Sequence, residues 1–229
     1  MKEKSLASSW QWILAGIILF GALIGFSEAV FGHLLTVIAF PYKGGLLTGI
    51  SFGIIGGIAL AIYRNPFFLM AIGAAGALIR MLLIPILKVS YTCFYNSSIG
   101  ITLEGIAIGV IGFAFINSIH RKNILAQITT GFLGALTGSI LFWAIGVYAK
   151  PGKYLLSFQG DPLKWILTEG LIWSLFTALL LPAGYLAGSK ISEKLAVAMR
   201  VKAWPVYTGI AIMIIISFTV TAVVYGITL

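Results

Sequence analysis

Charged residues are scarce in this sequence. Of its 229 residues, 9% are Asp, Glu, Lys or Arg, whereas 60% are hydrophobic. A soluble domain carries about 25% charged residues. The composition therefore excludes a soluble globular protein and predicts an all-α transmembrane bundle, in which residues 1–229 form a single integral membrane domain.

Cysteine and histidine are also rare. The single cysteine, Cys93, excludes an intramolecular disulfide, and two histidines are too few for a His-rich metal site. We therefore expect no metal and no cofactor.

The net charge of +9 would indicate a nucleic-acid partner in a soluble protein. In a membrane protein it indicates loop lysines and arginines that fix the topology, so the expected partners are lipids and a small solute, and no nucleic acid.

Long apolar runs divide the chain into seven predicted spans, six plus one at the C-terminal end. They cover residues 10–40, 44–63, 66–87, 99–119, 124–149, 165–188 and 204–229. Each is long enough to cross a bilayer as a helix. The first run is longer than a bilayer core requires, so we expect it to tilt strongly or to break near Gly32-His33. Residues 189–203 are basic with a large apolar residue at every fourth position, which predicts an amphipathic helix on the membrane surface.

The distribution of Lys and Arg orients the spans. With the N-terminus inside, the cytoplasmic segments carry nine of these residues and the outer segments carry five. The positive-inside rule therefore favours N-in and C-out. We expect a multi-pass protein of the cell membrane, in a prokaryotic inner membrane.

In the second span, glycines recur at every fourth position from Gly45 to Gly57, and such a stripe predicts close packing against another helix.

Four charged residues lie inside these apolar runs: Glu28, Arg80, Glu104 and Glu169. The Arg80 guanidinium cannot lose its proton, and burying it costs at least about 2.5–3.5 kcal/mol unless an anion or water meets it. In the predicted topology, Arg80 lies roughly 12 Å from the outer end of its helix, and Glu104 and Glu169 lie roughly 8 Å from theirs. With Glu28, and His33 further out, these residues are predicted to line a substrate-binding pocket open to the outer face.

Each of these residues also has a structural interpretation. Arg80 could form an ion pair that only holds two helices in register, and Glu104 and Glu169 could extend to the interface. For His33, a position at the membrane interface is favoured over a role as a ligand. Aromatic residues near the same end, among them Trp165 and Trp173, are expected to form an interfacial belt, with an aromatic wall over the pocket as the alternative.

A pocket with more carboxylates than cations favours capture of a small cationic or vitamin-like solute, because electrostatic pairing and aromatic rings both attract positive charge. Two other roles stay open. An ion- or proton-coupled carrier would exchange protons at the glutamates, and a non-catalytic assembly subunit would use the polar residues to contact other chains. We expect that the protein is not an enzyme, because the sequence has no nucleophile–base pair and no metal-ligand motif.

Residues 44–80, GGLLTGISFGIIGGIALAIYRNPFFLMAIGAAGALIR, are rich in Gly and Ala. In this stretch and in its size, over about residues 10–188, the chain resembles the substrate-binding S components of energy-coupling-factor (ECF) transporters. The resemblance implies capture of a vitamin or metal from outside, with a transmembrane coupling subunit and ATPases as partners. Those proteins usually have six helices, so the seventh span is a departure. Their coupling helix often shows an Ala-x-x-x-Ala pattern, whereas the first span here has Ala15, Gly16 and Ala22 in other spacings.

Overall fold

The computed structural model describes residues 10–87, 91–149, 155, 157–201 and 204–228, and these residues are nearly all helical, with no strand among them. The long helices are α1 (Trp10–Val37), α2 (Lys43–Tyr63), α3 (Phe67–Leu87), α4 (Tyr91–Ala114), α5 (Ile124–Ala149), α6 (162–201) and α7 (Trp204–Thr228). A short helical segment, Ile116–His120, lies between α4 and α5. Within the described ranges, seven helices are long and apolar enough to cross a membrane, which confirms the predicted polytopic bundle.

Glycines determine how closely the helices approach one another. The predicted stripe on α2 faces α6, since a Cβ atom on Gly45 would lie 3.0 Å from the backbone of Ile172 and one on Gly57 would lie 2.8 Å from the Leu181 carbonyl oxygen. Similarly, α3 and α4 meet where Gly73 faces Gly105. Small residues let backbones pack without the hydrophobic driving force that operates in water, so the stripe is confirmed as a packing surface.

Six helices form a ring in the order α1, α3, α4, α5, α6 and α2. The seventh, α7, packs mainly on the outside of α1, where the rings of Phe26 and Phe218 lie 4.6 Å apart and the Tyr225 hydroxyl donates to the Ala29 carbonyl oxygen at 3.3 Å. Only 11% of the most apolar part of α7 is buried. The arrangement therefore consists of a six-helix ring with one peripheral helix.

The helix boundaries differ from the prediction in three places. First, α1 ends at Val37, before the predicted end at residue 40, and it continues through Gly32-His33 without the break that was one of the two predicted alternatives. Second, α4 begins at Tyr91, whereas the predicted fourth span begins at residue 99. Residues 88–90, between the third and fourth spans, lie outside the described residues. Third, the surface helix predicted over residues 189–203 is not separate, because residues 189–201 continue α6; residues 202–203 lie outside the described residues. Residues 91–98 and 189–201 contain no Gly or Pro, so nothing in their backbone stops a helix that has begun.

Candidate functional site

Glu28 of α1 lies inside the bundle, with 6% of its surface exposed. Its Oε1 atom accepts a hydrogen bond from the Ser51 hydroxyl at 3.1 Å. Ser51 belongs to a π-helical segment of α2, Gly49–Ile55, and π-helical turns occur frequently at functional sites. The serine side chain thus gives a buried carboxylate one polar contact from the neighbouring helix.

Glu104 of α4 is more deeply buried, with 3% of its surface exposed. The Thr48 hydroxyl oxygen on α2 lies 3.0 Å from Glu104 Oε1 and also 3.0 Å from the Gly44 carbonyl oxygen. A hydroxyl has one proton to donate, so Thr48 can serve only one of these acceptors at a time. Within the part of the chain that the structure describes, Oε2 of Glu104 has no hydrogen-bond partner.

The neighbouring helix α5 closes the opposite side of Glu104. A Cβ atom on Gly138 would lie 2.9 Å from the Cα atom of Glu104 and 3.2 Å from its Cγ atom. Because α4 begins at Tyr91, Glu104 is thirteen residues, roughly 20 Å, from the start of its helix. The predicted distance of roughly 8 Å from the helix end was therefore wrong, and the 3% exposure of Glu104 does not fit the alternative in which its side chain extends to the interface.

Arg80 of α3 completes a group of three buried charges. Only 7% of its surface is exposed, and its Nε atom donates to the Ser97 hydroxyl of α4 at 2.6 Å. The Arg80 guanidinium attracts the Glu28 carboxylate, and the Glu28 and Glu104 carboxylates repel each other. With both glutamates ionised, this triad of Glu28, Arg80 and Glu104 carries a net charge of −1.

Glu169 is not one of these three residues and lies in the second π-helical segment, Ile166–Gly170. It is half-buried, and its Oε2 atom lies 3.4 Å from the position that a Cβ atom on Gly44 would occupy. The indole Nε1 of Trp173 lies 2.6 Å from that same position. Since Gly44 is one helical turn before Thr48, Glu169 flanks the triad on the side of α2.

The fifth predicted residue, His33, faces the peripheral helix. Its ring lies 4.7 Å from the ring of Tyr225, and it is half-buried. Among the described residues, the Nε2 atom of His33 has no hydrogen-bond partner. No described contact joins His33 to the three buried charges, so this residue belongs to the junction between α1 and α7.

Two tryptophans that were predicted to lie in an interfacial belt are buried inside the bundle instead. Trp165 is fully buried and Trp173 is 7% exposed. Their rings lie 6.0 Å apart, and both pack against Phe142 of α5. Phe142 also lies 3.6 Å from the position of a Cβ atom on Gly100, one turn before Glu104. These rings form an aromatic cluster inside the bundle, beside the helix that carries Glu104.

Sequence reasoning missed the short polar residues that hold the charged groups: Thr48, Ser51 and Ser97. A signal was present for the first two, because between Lys43 and Tyr63 they are the only polar side chains of α2. Their spacing of three residues places them on one helix face. Among the described residues, no cluster of three His, Cys, Asp or Glu side chains could hold a metal ion.

The Glu28–Arg80–Glu104 triad can offer negative charge and open acceptor capacity to a positively charged group. A proton on one carboxyl group or a bound cation would balance its surplus charge. No protein-family model, curated protein or solved structure matches this chain.

Proposed function

We propose that this polytopic membrane protein is a transport subunit that captures a small cationic or vitamin-like solute from the outer face. Its site is the triad of Glu28, Arg80 and Glu104. The resemblance to the S components of ECF transporters supports this assignment. The arrangement of six helices in a ring, with α7 at the periphery, is compatible with the same role.

The observation that carries the proposal is the state of Glu104. This carboxylate is 3% exposed, and its Oε2 atom has no hydrogen-bond partner among the described residues. Leaving a buried polar atom unsatisfied costs about 1–3 kcal/mol, and more when the group is charged. A positively charged N–H group on a solute would satisfy this atom and provide the counter-charge at once.

The charge balance leads to the same conclusion. Among the residues whose burial the structure describes, Arg80 is the one buried cation, and it can offset one of the two carboxylates. A second ionised carboxylate in a dry interior costs several kcal/mol unless it is paired. A cationic solute therefore gains more from this site than a neutral solute of the same size, since only the cation neutralises the surplus charge.

Access to the buried site requires a helix to move. Helices α2 and α6 pack against each other, and each contains a π-helical segment, Gly49–Ile55 in α2 and Ile166–Gly170 in α6. Opening between them would expose Glu104 without disturbing the contact between α3 and α4. The sequence has no nucleotide-binding motif, so energy would come from a transmembrane coupling subunit with ATPases, or from an ion gradient.

The test is the thermal stability of the detergent-purified protein against a panel of vitamins, polyamines and divalent metals. A ligand that binds only the folded state raises the unfolding midpoint by mass action. We expect a cation to raise the midpoint of the wild-type protein but not that of Glu104→Gln. No stabilisation by any member of the panel, together with tight copurification of other subunits, would contradict capture and favour the assembly role.

A second candidate function is a proton-coupled carrier. The mutual repulsion of Glu28 and Glu104, and the single proton of Thr48 shared by two acceptors, favour exchange of a proton at this site. Toward the other face, α5 carries the buried residues Gln127 and Thr130, which would have to continue the path. Solute uptake by the protein alone in liposomes, driven by a pH gradient, would support this role over capture.

A further inference from the structure

Two basic turns lie against each other at the end of the bundle that is predicted to face the cytoplasm. The first is residues 64–66, between α2 and α3, and the second is residues 120–123, between the short helical segment and α5. The His120 Nε2 atom lies 3.1 Å from the Arg64 carbonyl oxygen. The two turns are far apart in the sequence, so it is the fold that joins them into one surface.

The ionisable side chains of the basic turns are all cationic or able to become so. The turns contain two arginines, one lysine and one histidine, with no Asp or Glu. All four side chains are exposed: Arg64, His120, Arg121 and Lys122. Like charges held close together repel one another, and a bound anion relieves that repulsion. The surface therefore favours a negatively charged partner.

The backbone of both turns contains a position that usually belongs to glycine. Arg64 has a φ of 52° and Lys122 has a φ of 59°, and they are two of the three non-glycine residues with a positive φ in the described ranges. Glycine adopts this left-handed conformation without strain and is the common residue after the end of a helix. The sequence places a cation at each position instead, which indicates that these side chains have a use beyond closing the turn.

Exposed apolar side chains adjoin the basic turns. Phe67 is the first residue of α3, and its ring lies 4.9 Å from the ring of Phe113 on α4. Both rings are exposed, as are Ile124 and Leu125 in the first turn of α5. In a membrane such side chains face the lipid. The surface thus combines cations at the helix ends with apolar groups directly beside them, as a phospholipid combines a charged headgroup with acyl chains.

We propose that this surface binds an anionic phospholipid. The headgroup phosphate accepts hydrogen bonds from the guanidinium groups of Arg64 and Arg121, whose planar donors suit phosphate oxygens, and Lys122 adds a further positive charge. The acyl chains lie along Phe67 and Phe113. The cytoplasmic leaflet, which this end is predicted to face, is the one that carries anionic lipids and attracts basic segments. The proposal is independent of solute capture, because none of these residues belongs to the triad.

The experiment measures lipid binding by the full-length protein in detergent. Phosphatidylglycerol or phosphatidylcholine with identical acyl chains is added in rising mole fraction, and the apparent affinity is obtained from the shift of the unfolding midpoint. We expect phosphatidylglycerol to bind at least about tenfold more tightly, because each Lys or Arg near an anionic surface contributes roughly fivefold in affinity. Inorganic phosphate is the third probe, and it should stabilise the protein less than phosphatidylglycerol because it has no acyl chains.

Two double variants connect this preference to the basic turns. Arg64→Gln with Arg121→Gln removes two of their cations, and we expect its affinity for phosphatidylglycerol to fall by at least about tenfold. Lys43→Gln with Lys164→Gln is the matched control. It removes the same charge from exposed lysines at the start of α2 and α6, more than a screening length away, and should bind within about twofold of the wild-type protein.

Three results would overturn the proposal. Equal binding of the two lipids by the wild-type protein would show that the headgroup charge is not recognised. Equal losses in the two double variants would assign the preference to the charge of the whole protein and not to the basic turns. Stabilisation by inorganic phosphate as strong as that by phosphatidylglycerol would assign the surface to a soluble anion.

Discussion

Neutralising Glu104 should stabilise the solute-free protein, although it destroys the site. In Glu104→Gln, the side-chain oxygen can still accept from Thr48, so the contact at 3.0 Å is kept. The new amide group carries no charge, and the repulsion from Glu28 disappears. The substitution therefore removes a buried, unbalanced charge without removing volume.

The size of this effect follows from the charge alone, because the amide nitrogen that replaces Oε2 would itself be a buried polar atom without a partner. An unsatisfied buried group costs more when it is charged than when it is neutral, and we take the difference as about 1–3 kcal/mol. For a chain of this length, each kcal/mol changes the unfolding midpoint by about 2–4 °C. The opposite result is expected for Glu28→Gln, since it leaves Arg80 without its attracting carboxylate. Removing the counter-charge of a buried cation costs up to about 3–5 kcal/mol. Two chemically identical substitutions should therefore shift the midpoint in opposite directions.

The assay is thermal unfolding of the purified variants in one detergent without added solute, with Glu169→Gln as the control. Glu169 is half-buried and outside the triad, so its neutralisation should change stability by about 0.5 kcal/mol or less. A lower midpoint for Glu104→Gln would refute the charge argument. An unchanged midpoint would mean that a proton already neutralises Glu104, and would favour the proton-coupled carrier.

Three further predictions concern the surroundings of the triad. Arg80→Met should lower stability by about 3–5 kcal/mol, measured by the same unfolding assay, and stability equal to wild type would show that Arg80 has no buried counter-charge. Gly138→Ala should cost about 1–3 kcal/mol and weaken solute binding, because its Cβ atom would lie 2.9 Å from the Cα atom of Glu104; Gly209→Ala, with nothing within 4 Å, is the control. In whole cells, a cysteine at Lys43 in a Cys93→Ser background should react with an impermeant maleimide, and protection until the membrane is permeabilised would reverse the predicted orientation.

The fold could be predicted from the sequence because the bilayer restricts the choice. Apolar runs of about 20 residues must form helices in a membrane, and the glycine stripe of α2 indicated its packing face. The boundary of α4 could not be read in the same way. Residues 91–98 are polar or aromatic, as in an interfacial loop, yet they contain no helix-breaking residue, so the helix extends through them.

Half of the candidate site was visible in the sequence. Buried charges are conspicuous in apolar runs, so Glu28, Arg80 and Glu104 could be singled out without a structure. Their partners were less visible, because Thr48 and Ser51 are common in membrane helices, where they also bond to their own backbone. Which carboxylates meet depends on the neighbour order of the helices, and a list of spans does not contain that order.

The most direct test of the central claim is the affinity for a cation at Glu104, measured by isothermal titration calorimetry. The ligand is the cation that most strongly stabilises the wild-type protein in the thermal panel. Removing the charge of one partner of a buried pair costs about 2–5 kcal/mol. The account therefore predicts that the cation binds Glu104→Gln at least about thirtyfold more weakly than the wild-type protein. Trp143→Phe is the control and should bind like the wild-type protein, because the Trp143 indole donates to the Phe158 carbonyl oxygen and is not part of the triad. Equal affinity of the wild-type protein and Glu104→Gln would contradict capture at this triad.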